Sequence, residues 1–169
     1  MAMFDPISYF RTLAKTNKIC KSNNFVFDLC SDPDSLQGLI SNYKTATNFV
    51  FASDTVDSNT HSQGVGFFDR QVYTVWILAS YKFDDMADRE IKLKQCRSVF
   101  QQFLSRLIKD KEDMTYDDDL AFLDVQKVYK HELGRYSMSG VTGLYFMINS
   151  DEPIDLQFDE TEWEQEQSE

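Results

Sequence analysis

The sequence has few of the residues that most often build metal sites. It contains three cysteines, at widely spaced positions, and only two histidines, His61 and His131. No CxxC pair is present, and a structural zinc site needs four such ligands close together. The sequence therefore predicts no metal site, and an odd number of scattered cysteines is typical of reduced thiols in a cytosolic protein.

The short motifs that mark phosphate, dinucleotide and hydrolase sites are also missing. There is no GxxxxGK[ST], GxGxxG, GxSxG or HExxH pattern, and the glycines in "GVGFF" open a predicted strand instead of a helix. His131 and Glu132 are neighbours on a predicted strand and so point to opposite faces. Ser137 would meet His131 only if a hairpin brought them together. We expect no cofactor, no small-molecule substrate and no catalysis, unless a deep pocket gathers distant polar groups.

Long apolar runs and a basic surplus are absent as well. No stretch approaches the roughly 20 apolar residues that span a bilayer, and the N-terminus lacks the layout of a signal peptide. The net charge is −11, and residues 151–169 hold nine acids and no base. Residues 1–150 carry 19 acids and 17 bases. Binding to nucleic acid or to an anionic membrane is therefore disfavoured, and the chain is expected to stay in the compartment where it is made.

What the sequence does contain is a series of well-marked helices and strands. The helices are marked by capping aspartates, two of them followed by proline, and by apolar residues with a period of 3.6. The strands are marked by runs of β-branched and aromatic residues. Helices are predicted at 5–17, 32–43 and 84–109, strands at 25–30, 48–53, 67–83, 122–138 and 140–150, and a mobile loop at 54–66. This order predicts an α+β fold. Its sheet would be mostly antiparallel or mixed, with the long helix packed on one face and a further helix at the N-terminus. Residues 1–150 would form a single domain.

The stretch "RQVYTVWILASYKF" is apolar or aromatic on both faces of the predicted strand. Two explanations are open: the N-terminal helix and the helix after Pro33 cover the second face, or that face meets another copy or another protein. The second explanation is preferred, because apolar side chains left in water would favour association. The predicted contact residues are Tyr73, Val75, Ile77 and Tyr81, with His61 in the loop nearby.

The acidic extension, residues 151–169, has two open interpretations. Nine like charges favour disorder. The alternation in "IDLQFD" favours a strand, which would complete this chain's own sheet or pair with the sheet edge of a neighbouring subunit. Its candidate contact residues are Ile154, Leu156, Phe158 and Trp163.

The order of these elements resembles that of the tail-terminator, or tail-completion, proteins of long-tailed bacteriophages. The resemblance covers roughly residues 4–150. It rests on an initial helix, the short strand "NFVFAS", a loop, the long aromatic strand, a long helix, and the closing hairpin "YKHELGRYSMSGVTGLYFMI". The acidic extension is not part of the family's pattern.

This resemblance implies a non-catalytic virion protein of a phage or prophage. The family forms a ring, commonly of six subunits, that caps the growing tail tube and contacts the head connector. The expected partners are therefore the chain itself, tail-tube protein and head-connector protein, and the expected location is the host cytoplasm and then the virion. An alternative is a small acidic cytoplasmic module that binds or regulates another protein through its extension.

Overall fold

The computed structural model describes residues 4–64 and 66–164. Its helices are α1 (Pro6–Thr16), α2 (Lys18–Ser22), α3 (Leu36–Asn42) and α4 (Met86–Glu112), with short 3-10 turns at Pro33–Ser35 and Glu160–Glu162. Its strands are β1 (Val26–Leu29), β2 (Asn48–Ala52), β3 (Asp57–Gln63), β4 (Gly66–Ser80), β5 (Leu123–Glu132) and β6 (Val141–Ile154). The predicted α+β class is confirmed.

The six strands form one mixed sheet in the order β1-β2-β4-β6-β5, and β3 pairs with the first half of β4. β1 runs parallel to β2, whereas the other pairs are antiparallel. β4 and β6 pair over their whole length, from Phe67 opposite Ile154 to Ser80 opposite Val141. The pairing of β5 with β6 is interrupted by an irregularity between Asp124 and Tyr129.

Local sequence signals explain where the two main helices begin. The Asp5 side chain accepts a hydrogen bond from the Ser8 amide at 3.0 Å, and Pro6 occupies the first helical position. The Asp85 side chain accepts from the Asp88 amide at 2.9 Å. Lys109 and Lys111 lie in the last turn of α4, where their positive charges interact favourably with the negative end of the helix dipole.

The first face of the sheet is covered by α1 and α4. The core between the helices and the sheet contains Phe10 of α1, Phe103 of α4 and Phe146 of β6. The Phe10 ring centre lies 6.2 Å from that of Phe103 and 5.7 Å from that of Phe146. The predicted helix on one face is thus confirmed, and the N-terminal helix packs on the same face as the long one.

Several predicted bounds differ from the structure, and β5, for example, ends at Glu132 and not at residue 138. Residues 57–63 are not a mobile loop but strand β3, which pairs with β4 over seven residues. The predicted boundary after Ser150 falls inside β6, which continues to Ile154 and is held there by β4. The first four residues of the acidic extension therefore complete this chain's own sheet. The last five, residues 165–169, lie outside the described residues.

A buried carboxylate joins α1 to the end of α4. Asp110 is 1% exposed, accepts a hydrogen bond from the Tyr9 hydroxyl at 2.9 Å, and accepts two from Arg106 Nε at 2.8 and 2.9 Å. Burial would raise the pKa of Asp110, but the hydrogen bonds from Arg106 and Tyr9 outweigh it and hold the pKa below its ordinary 3.8.

We predict that Asp110→Asn lowers the free energy of unfolding by about 2 kcal/mol at pH 7, because a charge-assisted hydrogen-bond network is weakened. A carboxyl whose pKa is depressed in the folded state stabilises the fold above its ordinary pKa, and this contribution is lost as pH falls through the folded pKa. Urea unfolding at pH 7 and at pH 3 should therefore show a smaller difference between the two proteins at the lower pH. An equal difference at both would contradict the assignment.

No helix within residues 4–64 and 66–164 has the length and apolar character required to cross a membrane.

Candidate interaction surface

The second face of the sheet is covered over only part of its area. Over the upper part, α3 and the segment between β5 and β6 bury a small core of residues from β2 and β4. Its buried members from the two strands are Phe49, Phe51, Trp76 and Leu78, packed with Leu36, Met138 and Val141. No described helix packs on the part below, which is formed by the first half of β4, β3 and the end of β6.

We call this lower part the open sheet face. The register places Thr74 opposite Met147 and Val72 opposite Asn149, with all four side chains on the second face and only half-buried. Tyr129 of β5 lies beside them and is exposed. Half-buried apolar and aromatic side chains on an uncovered sheet are typical of a surface that another molecule contacts.

A recess of about 300 Å3 lies where the open sheet face meets residues 31–33, which precede α3. Thr74, Trp76 and Tyr145 form its floor, while Asp32 and Asp57 are among the polar residues at its wall. The Tyr145 ring lies 5.4 Å from that of His131 and 6.2 Å from that of Tyr129. The recess therefore offers flat aromatic rings and carboxylates, a combination suited to contact with protein side chains.

The far end of the open sheet face carries a small charged cluster. Arg70 Nη2 lies 3.0 Å from Asp151 Oδ2, and His61 Nε2 lies 3.5 Å from Asp151 Oδ1. The His61 ring stacks on that of Phe68 at 5.9 Å. These residues come from β3, β4 and β6, so the cluster connects three strands that already pair through their backbones. These three strands form what we call the ribbon, in a region where the sequence predicted a loop.

The C-terminal arm, residues 155–164, follows the ribbon. Leu156, Phe158 and Trp163 are 54%, 67% and 68% exposed, and the last two rings lie 6.0 Å apart. Asp159 starts a short turn, and hydrogen bonds from the Thr161 side chain and amide lower its pKa. The arm thus presents three large apolar side chains among carboxylates.

The structure changes the assignment of the predicted contact residues. Tyr73, Val75, Ile77 and Tyr81 are buried within the chain, the first three beneath α1 and α4, so the prediction that they form an open contact surface is wrong. The reason is the alternation of side chains along the strand. Odd-numbered residues of β4 point to the first face, which the helices cover, whereas Val72 and Thr74 point to the second face. His61, Ile154, Leu156, Phe158 and Trp163 remain at least partly exposed.

Sequence reasoning missed Tyr129, Val72 and Thr74 as surface candidates. The alternation along β4 separates its two faces, but it does not show which of them the helices cover. His131 and Glu132 do point to opposite faces, as predicted, because Glu132 pairs with Arg97 of α4 at 2.7 Å whereas the His131 ring lies tilted against that of Tyr145. Ser137 lies in the exposed segment after β5.

The chemistry of the described residues offers little for metal or thiol reactions. Across residues 4–64 and 66–164 no three His, Cys, Asp or Glu side chains are grouped to hold a metal ion. The three cysteines are buried and free, and desolvation raises the pKa of Cys96 to about 12.

No family model matches the sequence, and the curated proteins contain no match to it.

Proposed function

We propose that this protein is a non-catalytic assembly protein of a phage or prophage virion, of the tail-terminator, tail-completion or head–tail joining type. In this role it forms a ring with copies of itself and contacts tail-tube and head-connector proteins. It would act in the host cytoplasm during assembly and then remain in the virion. The proposal begins from the order of elements, which resembles that family.

The observation that carries the proposal is the partly covered second face, together with the ribbon of β3, β4 and β6. Single exposed apolar residues are common on monomeric proteins, whereas neighbouring ones grouped on one surface mark a contact with another protein. Here Thr74, Met147 and Tyr129 are left at the surface, and the exposed Leu156 and Phe158 follow directly after the ribbon. These are the features expected of a subunit whose surface is completed by its neighbours.

We expect the full-length protein to have, in solution at high concentration, a mass several times that of one chain. Light scattering coupled to size-exclusion chromatography measures it, and electron microscopy of the peak should show rings. Added to polymerising tail-tube protein, the protein should stop growth at one end. A strict monomer that leaves the tube unaffected would contradict the proposal.

The alternative function, a monomeric acidic module, is favoured by one feature, the exposed apolar residues of the C-terminal arm among carboxylates. In that case the mass would be that of one chain. Removing residues 155–169 would then abolish partner binding and leave thermal stability unchanged, because β6 ends at Ile154. The mass measurement separates the two functions.

A further inference from the structure

The edge of the sheet formed by β1 is regular and unpaired among the described strands. β1 ends the strand order, and its four residues are only half-buried. Beside it runs a groove of about 360 Å3, lined by Arg11, Ala14, Lys15, Phe25 and Phe27. The Arg11 guanidinium lies over the Phe27 ring, 5.3 Å from its centre. An unpaired edge next to a groove lined by two phenylalanines and two bases is a template for an added strand.

The helices beside this edge, α1 and α2, carry an excess of positive charge. Residues 6–27 contain four bases, Arg11, Lys15, Lys18 and Lys21, and no acid. All four side chains are exposed, and none forms an ion pair with another described residue. Asp28 of β1 accepts a hydrogen bond from the Tyr43 hydroxyl on the other face of the sheet. The side of the β1 edge next to α1 and α2 is therefore suited to an acidic segment.

The C-terminal arm is the complementary segment. Ile154, Leu156 and Phe158 alternate with polar residues, as a strand over an apolar groove requires. Glu160, Glu162 and Glu164 follow, and no base lies between residues 151 and 169. The arm forms no ion pair with a described residue of its own chain.

The arm cannot reach the β1 edge of its own chain. Ile154 lies opposite Phe67, whereas the nearest end of β1, at Leu29, is level with Val75. Eight residues of β4 and three strand spacings separate these points by roughly 30 Å. Residues 155–158 extend to about 14 Å at most. A second copy must therefore supply the arm.

We propose that the C-terminal arm of one subunit adds as a strand to the free edge of β1 in the next subunit. This inference rests on the proposed assembly function and names its contact. Leu156 and Phe158 enter the groove, and the acids that follow lie against Lys15, Lys18 and Lys21. Because the arm and the groove are different surfaces, the contact is head-to-tail, and such contacts form a ring when the rotation between neighbouring subunits closes on itself.

The test uses two full-length double variants with complementary lesions. Leu156→Asp with Phe158→Asp disables the arm, and Arg11→Glu with Lys15→Glu disables the groove. All four side chains are exposed, so each variant should fold, which thermal unfolding checks. We expect each variant alone to have the mass of one chain. Mixed in equal amounts they should form a complex of two chains and no larger, because one intact arm and one intact groove remain.

A control for charge alone is Lys82→Glu with Lys94→Glu, two exposed lysines away from β1, which should keep the wild-type mass. If the arm variant keeps that mass, or if the mixture stays as single chains, the strand addition is overturned and the assembly proposal stands. If the control also dissociates, the specific contact is likewise overturned. If the wild-type protein is itself a monomer, both proposals fall.

Discussion

Gly143→Ala should lower the free energy of unfolding by about 3–5 kcal/mol, because it combines backbone strain with a steric clash. Gly143 has φ 141°, a conformation that residues with a side chain rarely adopt. It lies in β6 opposite Leu78 of β4. A Cβ here would overlap the carbonyl oxygen of Ile77 and lie 2.9 Å from Leu78 Cα. Both are backbone atoms in the centre of the sheet and cannot move aside cheaply.

Gly38→Ala is the matched control. Gly38 lies in α3, and a Cβ there would meet no atom within 4 Å. Alanine favours the helix over glycine by roughly 0.5–1 kcal/mol, so this variant should be slightly more stable than the wild type. Urea titrations followed by circular dichroism measure both. If the two variants had similar stability, the close approach of β6 to β4 at Gly143 would be wrong.

Ile77→Ala should lower the free energy of unfolding by about 2–5 kcal/mol, as expected for a buried isoleucine. Ile77 is 0% exposed and packs in the core beneath α1 and α4. A core role and a subunit-contact role predict different dependences on concentration. Loss of a core side chain destabilises each subunit by the same amount at every protein concentration, whereas loss of a contact acts only where copies associate.

The comparison variant is Val56→Ala, which removes methyl groups from a side chain that is 41% exposed. Its effect should stay within about 0.5 kcal/mol. Denaturant unfolding at two protein concentrations, together with the mass of each variant, separates the two roles. An Ile77→Ala protein of normal stability that no longer associated would restore Ile77 as a contact residue.

Much of the fold could be predicted because its signals are local. Asp5 and Pro6 mark the start of α1, and the stripe through Leu93, Val99 and Phe103 marks the buried side of α4. These features depend on residues within one or two turns of each other. They need no knowledge of what lies across the sheet.

β3 was missed because its sequence, "DSNTHSQ", has no apolar alternation. Its residues are almost all exposed, and it forms through backbone pairing with β4 and not through burial of its own side chains. A polar strand of this kind is specified by its partner, and a single stretch of sequence does not contain that information.

The candidate surface was predicted only in part, for a related reason. The two parities of β4 are both apolar over its second half, so the sequence does not show which one receives the larger helical layer. The packing of α1 beside α4 decides it. Phe158 and Trp163, which follow β6, were proposed from the sequence as contact residues. Both are exposed in the structure because no helix covers them.

The irregularity in β5 has a consequence for unwanted aggregation. The register shift between Asp124 and Tyr129 interrupts the regular spacing of backbone groups along β5. The free edge of this strand is therefore a poorer template for pairing with another strand. The exposed Lys127 would also repel the same residue of a second copy that approached this edge. Continuous edge-to-edge growth of sheets needs an edge that accepts a strand on both sides, so the β5 edge disfavours growth into amyloid-like filaments.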